Sequence, residues 1–437
     1  MRKVFSVGAF MAMAALAADS PYAHAPRDYH SPRSLPDSNF ISTIDIAKLQ
    51  AKFSEATPEW MMNRLQKEFS PFSSKKITQK ALNETFAQFA RCVGGHGCSR
   101  YRIIEGKIYR YGPDPFGMDA FFRTIGRLAD YPGIPDLPNV DFIINHNDGT
   151  PFDFQPRDFW ITEDFQDQAP ILTYARKKDA PYLISIPDRF TIPEWAALSQ
   201  QIIGALSQWP WEIKYKSAFW RGQPNDFARL GMSQSSYAET ALRYSEMPRY
   251  KICSLSSLYP TFVDAGFSSP GFSATSELIA FIQPFNRPGI YQSQHLRWAY
   301  LPVLDGYTST YPGFLWRLLS NSVAFKQESE DSQWFYDALE PYVHYVPISN
   351  QMEDLIEKIQ WAQEHDVECK HIAENANAFV RKYLMIEDVY FYFFRVLQEY
   401  AQNQDCDAKQ LYEETRKSER AKKRRLARKI PKWVRIR

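Results

Sequence analysis

What this sequence has little of narrows its reading first. Cysteine occurs 5 times and histidine 8 times in 437 residues, too sparse and scattered for a disulfide framework. Cys92 and Cys98 form the one close pair, in the glycine-rich CVGGHGC. They either close a small disulfide or remain two thiols, and with His96 they supply fewer ligands than a zinc site needs. No Asp-x-Asp flanked by apolar residues stands at a strand end, so no metal motif is visible. Net charge is only +2, which excludes a polyanion binder for the body of the chain. The apolar run at the start, Val4 to Ala18, is too short for a membrane span.

What is present suits a two-domain globular protein. Hydrophobic residues make up 44% and aromatics 15% of the chain, enough for sizeable cores, and aromatic rings and hydroxyls also suit sugar-binding clefts. Arg2 and Lys3 precede the apolar run, with small-residue sites at Ala15-Leu16-Ala17 and Ala23-His24-Ala25. Residues 1–25 are expected to be a cleaved signal peptide, or else an apolar N-terminal helix of a cytosolic protein. Residues 26–99 read as a helical leader, with Ile46, Leu49 and Phe53 on one helix face. RYRIIEGKIYR, Arg100 to Arg110, reads as a β-hairpin. A helix over Phe116–Leu128 and a buried strand over Asp141–Asn145 follow. Two short strands, Ile171–Tyr174 and Tyr182–Ile186, precede a helix over Trp195–Ser207.

The chain is organised around Leu304 to Ile348. Trp298–Leu304 is apolar and ends at Asp305-Gly306, as a buried strand closing in a turn does. Phe314–Leu319 has the apolar density of a helix packed on a sheet, and Ser322–Lys326 reads as another strand. Strand, turn, helix, strand is the unit of a parallel sheet with a ligand site at the strands' carboxyl ends. Amides of such a turn and a helix N-terminus suit phosphate. Beyond it, Trp334–Leu339 is expected to be a helix and Tyr342–Ile348 a strand. Amphipathic helices then run over Met352–Glu364 and His371–Tyr383.

The residues Asp305-Gly306, Leu318-Leu319-Ser320-Asn321-Ser322 and above all Glu340-Pro341-Tyr342-Val343-His344-Tyr345-Val346-Pro347-Ile348 resemble glycosyltransferase family 90. That family includes Rumi-type protein O-glucosyltransferases, fungal capsule-associated xylosyltransferases and bacterial lipopolysaccharide-modifying enzymes. The resemblance implies a GT-B architecture, two Rossmann-like α/β domains facing a cleft, with helical N- and C-terminal extensions. It implies an N-terminal acceptor domain over 100–205, a nucleotide-sugar domain over 206–384, closing helices over 385–415 and a basic tail over 416–437. The implied reaction is inverting transfer of a sugar, glucose or xylose, from a UDP-sugar to a hydroxyl of a surface glycan, lipopolysaccharide or protein serine, with no cofactor and no metal.

By the same resemblance, the strand LPNVDFIIN ends in a loop whose aspartate, here Asp148, is the base that takes the acceptor's proton. Read from the residues alone, Asp148-Gly149 is equally a turn with a capping aspartate. Asp188 and Phe190 match a region that contacts acceptor and sugar. Arg221 and Gly222, in the run Phe219-Trp220-Arg221-Gly222, match the opening strand of the nucleotide domain; with Gln223 next to them they are expected to bind the nucleotide, and Arg229 sits where an arginine pairs with the diphosphate. A planar guanidinium suits two phosphate oxygens; a lone arginine on a helix is otherwise a solvated one. The loop Asp305, Gly306, Tyr307, Thr308, Ser309, Thr310, Tyr311 and Pro312 is expected to hold the diphosphate. The sequence departs from the pattern at Gln223 and Asn225, and at Thr150. It also lacks the arginine that ends this loop in eukaryotic relatives, where Tyr311-Pro312-Gly313 stands instead. The missing loop arginine and Gln223 motivate a rival reading, a catalytically degenerate member that binds a glycan or partner.

The tail from Arg416 to Arg437 is strongly basic. It reads as a helix on an anionic membrane surface or as a solvated tail; nucleic acid is not an expected partner. The expected location is a secretory lumen or the exterior, with the cytoplasmic face of a membrane as the alternative.

Overall fold

The computed structural model describes residues 33–34, 40–90, 97–115, 117–147, 168–178, 180–231, 235–271 and 274–429. The expected signal peptide, the Cys92 half of the cysteine pair and Asp148 lie outside them. The chain forms two compact units: residues 1–174, 179–189 and 390–437, and residues 175–178 and 190–389.

In the first unit, helices α1 (Ile46–Ser54), α2 (Glu59–Phe69) and α3 (Gln79–Ala90) form the helical leader. Asp45 caps α1 by accepting from the Lys48 backbone N–H at 3.1 Å. The expected hairpin is β1 (Cys98–Ile104) and β2 (Lys107–Tyr111), turning through Glu105 and Gly106, both with positive φ. Helix α4 (Met118–Leu128) and strands β3 (Val140–Asn145), β4 (Ile171–Thr173) and β5 (Leu183–Ser185) follow. The sheet order is β2-β1-β3-β4-β5, with residues 33–34 on the β2 edge; β1 pairs antiparallel with β2 and β3, while β3, β4 and β5 run parallel. Strand β3 carries the fully buried Asp141. Burial would raise its carboxyl, but Arg100 and Arg102 outweigh this and hold it below its usual value. Their guanidinium groups donate to it at 2.6–2.7 Å.

The second unit opens with α5 (Thr191–Ala205). Its sheet is built from β6 (Tyr215–Gly222), β7 (Val263–Phe267), β8 (Trp298–Val303), β9 (Val323–Gln327) and β10 (Val346–Ile348), all parallel, in the order β10-β9-β8-β6-β7. Between β6 and β7 come α6 (Tyr237–Tyr244) and α7 (Pro248–Leu258); α8 (Ser276–Ile282) follows β7. The buried α9 (Gly313–Leu319) crosses from β8 to β9, and α10 (Leu355–Glu364) and α11 (Asp366–Tyr383) come after β10. Taken in chain order the strands lie 2-1-3-4-5, a doubly wound sheet whose order reverses between β6 and β8. Such a sheet binds ligands outside the carboxyl ends of the strands at that reversal. Its core joins Ala218, Trp220, Tyr300, Phe325 and Val346 from the strands to Ile359 and Ile372 from the helices.

The chain then runs through α12 (Ile386–Asn403) to α13 (Ala408–Lys429). Within the first unit, the Gln404 side chain clamps the Asp141 backbone, accepting from its N–H at 2.9 Å and donating to its carbonyl at 2.7 Å. The basic tail is thus helical as far as Lys429. Among the described residues no helix is long and apolar enough to cross a membrane.

The segment 334–348 differs from expectation. Only Tyr336–Ala338 is helical, as a single 3-10 turn, and the strand is confined to Val346–Ile348. Local bonds explain this: the Glu340 N–H donates to His344 Nδ1 at 3.0 Å, the Tyr342 N–H donates to the Tyr345 carbonyl at 2.7 Å, and Tyr342 has φ of 60°. Such bonds offer the backbone an alternative to a ladder. His344, with its ring against Phe379, is a structural residue of this turn.

Candidate functional site

The reversal between β6 and β8 is where the expected phosphate loop lies, and a cavity of about 280 Å³ opens there within the second unit. Strand β6 delivers Trp220, Arg221 and Gly222 to it. Gly222 is dictated by packing: a Cβ there would sit 2.4 Å from Trp220 Cζ2. Arg221 lies over the Phe219 ring at 4.4 Å. It is oriented by donating to the Asp264 carboxylate at 2.8 Å and to the Trp220 and Asp264 carbonyls at 2.9 and 3.1 Å.

Two further arginines reach the same cavity. Arg249, the second residue of α7, ties the strand ends together. It donates to the carbonyls of Gln223 at 2.6 Å, Leu304 at 3.0 Å and Asp305 at 2.9 Å. Burial lowers its pKa against the opposing pull of Asp226. Asp226 in turn accepts from the Arg249 backbone N–H at 3.0 Å and the Tyr244 hydroxyl at 2.8 Å, and burial raises its own carboxyl. Gly306 leaves Arg249 its room, since a Cβ there would sit 3.0 Å from Arg249 Nη2.

Arg317, on α9, is the most exposed to electrostatic cost. It donates to the Gly313 carbonyl at 2.9 Å and packs on Trp316, while its Nε has no hydrogen-bond partner. Burial, with Arg249 nearby, pushes its pKa down to about 9. Among the described residues no carboxylate pairs with it. His295, from the turn Gln292–Arg297, completes the wall. Burial, Arg317 and Arg221 push its pKa down to about 3, so the ring is neutral. Three guanidinium groups, one of them (Arg249) already donating to three carbonyls, and a neutral imidazole around one hollow give it the chemistry that suits a multiply charged anion such as a diphosphate.

The expected site residues fall into distinct places. Arg221, Gly222 and Thr310 line the cavity. Arg229 instead donates to the Gly306 carbonyl and to the Asp331 carboxylate, both at 2.6 Å, and Lys177 also pairs with Asp331, at 2.8 Å. The polar groups of the loop from Asp305 to Pro312 are largely taken up by bonds within it and to neighbouring segments of the second unit. The Asp305 N–H donates to Gln327 at 2.8 Å, the Gly306 N–H to the Thr308 carbonyl at 2.8 Å, and the Thr310 hydroxyl to the Leu304 carbonyl. The Asp305 carboxylate accepts from the Ser329 hydroxyl and lies 3.5 Å from Lys326 Nζ. Thr308 meets the Tyr311 hydroxyl at 3.1 Å, Ser309 is buried, Tyr307 is half-buried, and Pro312 caps α9. Phe190 stacks on Tyr311 with centroids 6.1 Å apart. Asp188 is fully buried and belongs to the first unit. The described residues stop one short of Asp148, at Asn147; His146 before it bonds to Ser99 at 2.8 Å and Tyr174 at 3.3 Å.

Sequence reasoning missed Arg249 and His295. They lie in a stretch with no motif, and Arg249 opens a helix as any surface arginine would. The one legible signal was Arg317, an arginine inside an apolar helix. Among the described residues no three His, Cys, Asp or Glu converge as metal ligands would, and Cys253 and Cys369 are buried thiols.

Comparison with known proteins identifies the family. The model of glycosyl transferase family 90 matches residues 54–429. Protein O-glucosyltransferase 2 of Danio rerio is 24% identical over 402 residues, 89% of this chain and 70% of that protein. Protein O-glucosyltransferase 3 of Homo sapiens is 25% identical over 366 residues, 78% of this chain and 61% of that protein. Protein O-glucosyltransferase 1 of Homo sapiens is 23% identical over 351 residues, 77% of this chain and 78% of that protein.

Proposed function

The chain belongs to glycosyl transferase family 90, and from that premise we propose that it moves a sugar from a UDP-linked donor to an acceptor hydroxyl in one inverting, metal-independent step. Glucose is the first choice of sugar and a protein serine the first choice of acceptor, because the relatives are named protein O-glucosyltransferases. Xylose, and a surface glycan or lipopolysaccharide, are the other choices. The two units are read as the halves of a GT-B enzyme, the first taking the acceptor and the second the donor.

The observation that carries the reading is the cavity at the β6/β8 reversal with Arg221, Arg249 and Arg317 on its wall. When the bond from the anomeric carbon to the β-phosphate oxygen breaks, the departing diphosphate gains one negative charge. Preorganised cations at that place lower the barrier most effectively because they need no reorganisation. The acceptor oxygen attacks the opposite face of the sugar and gives its proton to Asp148. Arg229 acts behind the site, holding the Gly306 carbonyl and Asp331 together.

A second reading has a specific motive: Arg229 is committed to Asp331, and the loop lacks an arginine of its own. On that reading the chain binds a nucleotide or glycan and transfers nothing. Release of UDP from UDP-glucose or UDP-xylose separates the two. An enzyme releases UDP slowly even without acceptor, and Asp148→Asn lowers that rate by roughly 10²–10⁴ with UDP affinity unchanged. Tight UDP binding with no release from either donor supports the binding protein instead.

A further inference from the structure

We propose that His295 is a proton-linked ligand of the donor diphosphate, taking up a proton as the anion enters the cavity. This rests on the nucleotide-sugar reading above and adds to it a protonation state for the bound complex.

Geometry carries the argument. His295 lines the same cavity as Arg221, Arg249 and Arg317. The residue is 4% exposed, and its Nδ1 is buried without a hydrogen-bond partner. Its ring packs edge-on between Phe219 of β6, at 4.9 Å, and Trp316 of α9, at 5.2 Å. Its remaining polar contact is a hydrogen bond to the Ile290 backbone. An unpartnered polar atom in such a place is costly unless something fills it.

The charges that act on the ring are cations. Arg317 comes from α9 and Arg221 from β6, the latter shared with Asp264 of β7. Arg249 comes from α7, with Asp226 behind it. On its own turn the nearest charged neighbour in sequence is Arg297, which lies over Trp209. Burial first, and then Arg317 and Arg221, keep the imidazole neutral. A diphosphate bound among the same guanidinium groups reverses the sign of that field. An anion within about 4–6 Å raises a basic group's pKa by roughly 1–3 units. The ring's pKa, held down to about 3 without the anion, therefore rises when the diphosphate is bound. Proton and diphosphate therefore bind cooperatively, each raising the other's affinity by the same factor.

The probe is UDP-glucose, whose diphosphate diester does not itself titrate in this range. Calorimetry in two buffers of different ionisation enthalpy counts the protons taken up. Uptake is expected at about pH 5 and none at about pH 8, with affinity rising by up to roughly tenfold per pH unit on acidification. In His295→Gln the uptake and the pH dependence are lost, whatever affinity remains. A second readout needs no substitution: the His295 ring resonance titrates at higher pH with UDP-glucose than without. Binding with no proton uptake, or uptake retained in His295→Gln (as titration of Asp226 would give), overturns the proposal while leaving the donor reading intact. No binding of UDP-glucose at any pH removes the donor reading itself.

Discussion

Replacing Arg317 by methionine should make the protein more stable and bind UDP less well. This guanidinium is buried with one backbone acceptor and a stacked indole, its Nε is unpartnered, and among the described residues no carboxylate pairs with it. Burial and Arg249 hold its pKa at about 9 instead of 12.5, so it stays charged at neutral pH and the fold carries the cost. At about 1.36 kcal/mol per unit that cost is on the order of 5 kcal/mol, partly offset by the hydrogen bond to Gly313 and the contact with Trp316. Methionine fills similar volume and keeps the apolar contact. Even 1 kcal/mol net raises Tm by roughly 2–4 °C for a unit of this size. A charge-assisted hydrogen bond to phosphate is worth about 1.5–3 kcal/mol, so the Kd for UDP should rise roughly 10- to 150-fold. Thermal melts with and without UDP, together with calorimetry, read both effects. A lower Tm with unchanged UDP affinity would refute the reasoning, since it would make Arg317 an ordinary structural cation.

Two further outcomes follow from the packing in the second unit. Gly222→Ala places a Cβ 2.4 Å from Trp220 Cζ2, so the strand end or the indole must move; a stability loss of about 1–3 kcal/mol and weakened UDP binding are expected, measured by denaturant melts and calorimetry. Lys214 is buried and donates to the Leu296 carbonyl at 2.5 Å and to Ser322 at 3.0 Å. Burial, with Lys216 nearby, pushes its pKa down to about 7 from 10.5. Between those two values the unfolded chain holds the proton and the folded one does not. Stability attributable to this residue therefore rises with pH through that window, and the burial cost is fully present below it. Denaturant melts across this range should show a positive slope that Lys214→Met removes.

The parts of this protein legible in the sequence are those where local pattern and tertiary role coincide. β8, the turn at Asp305 and α9 were readable because a fully buried parallel strand is apolar throughout and must end in a turn. The hairpin Cys98–Tyr111 was readable from Glu105-Gly106 for the same reason. The turn at Glu340–Tyr345 was not, because the imidazole of His344 caps the backbone there and no periodicity encodes that. The cavity wall was the hardest part. Arg249 and His295 lie 46 residues apart in sequence, and only closure of the β6, β7 and β8 crossovers brings them to one hollow. The spacing that marks Arg229 as a phosphate ligand says nothing of its neighbours, and Asp331 lies 2.6 Å from it.

The most direct measurement is a crystal structure of the chain with UDP bound. The diphosphate should lie in the hollow at the carboxyl ends of β6 and β8, its oxygens accepting from Arg221 and Arg317 and its charge facing Arg249. UDP found on any other surface, with that hollow filled only by solvent, would contradict the account.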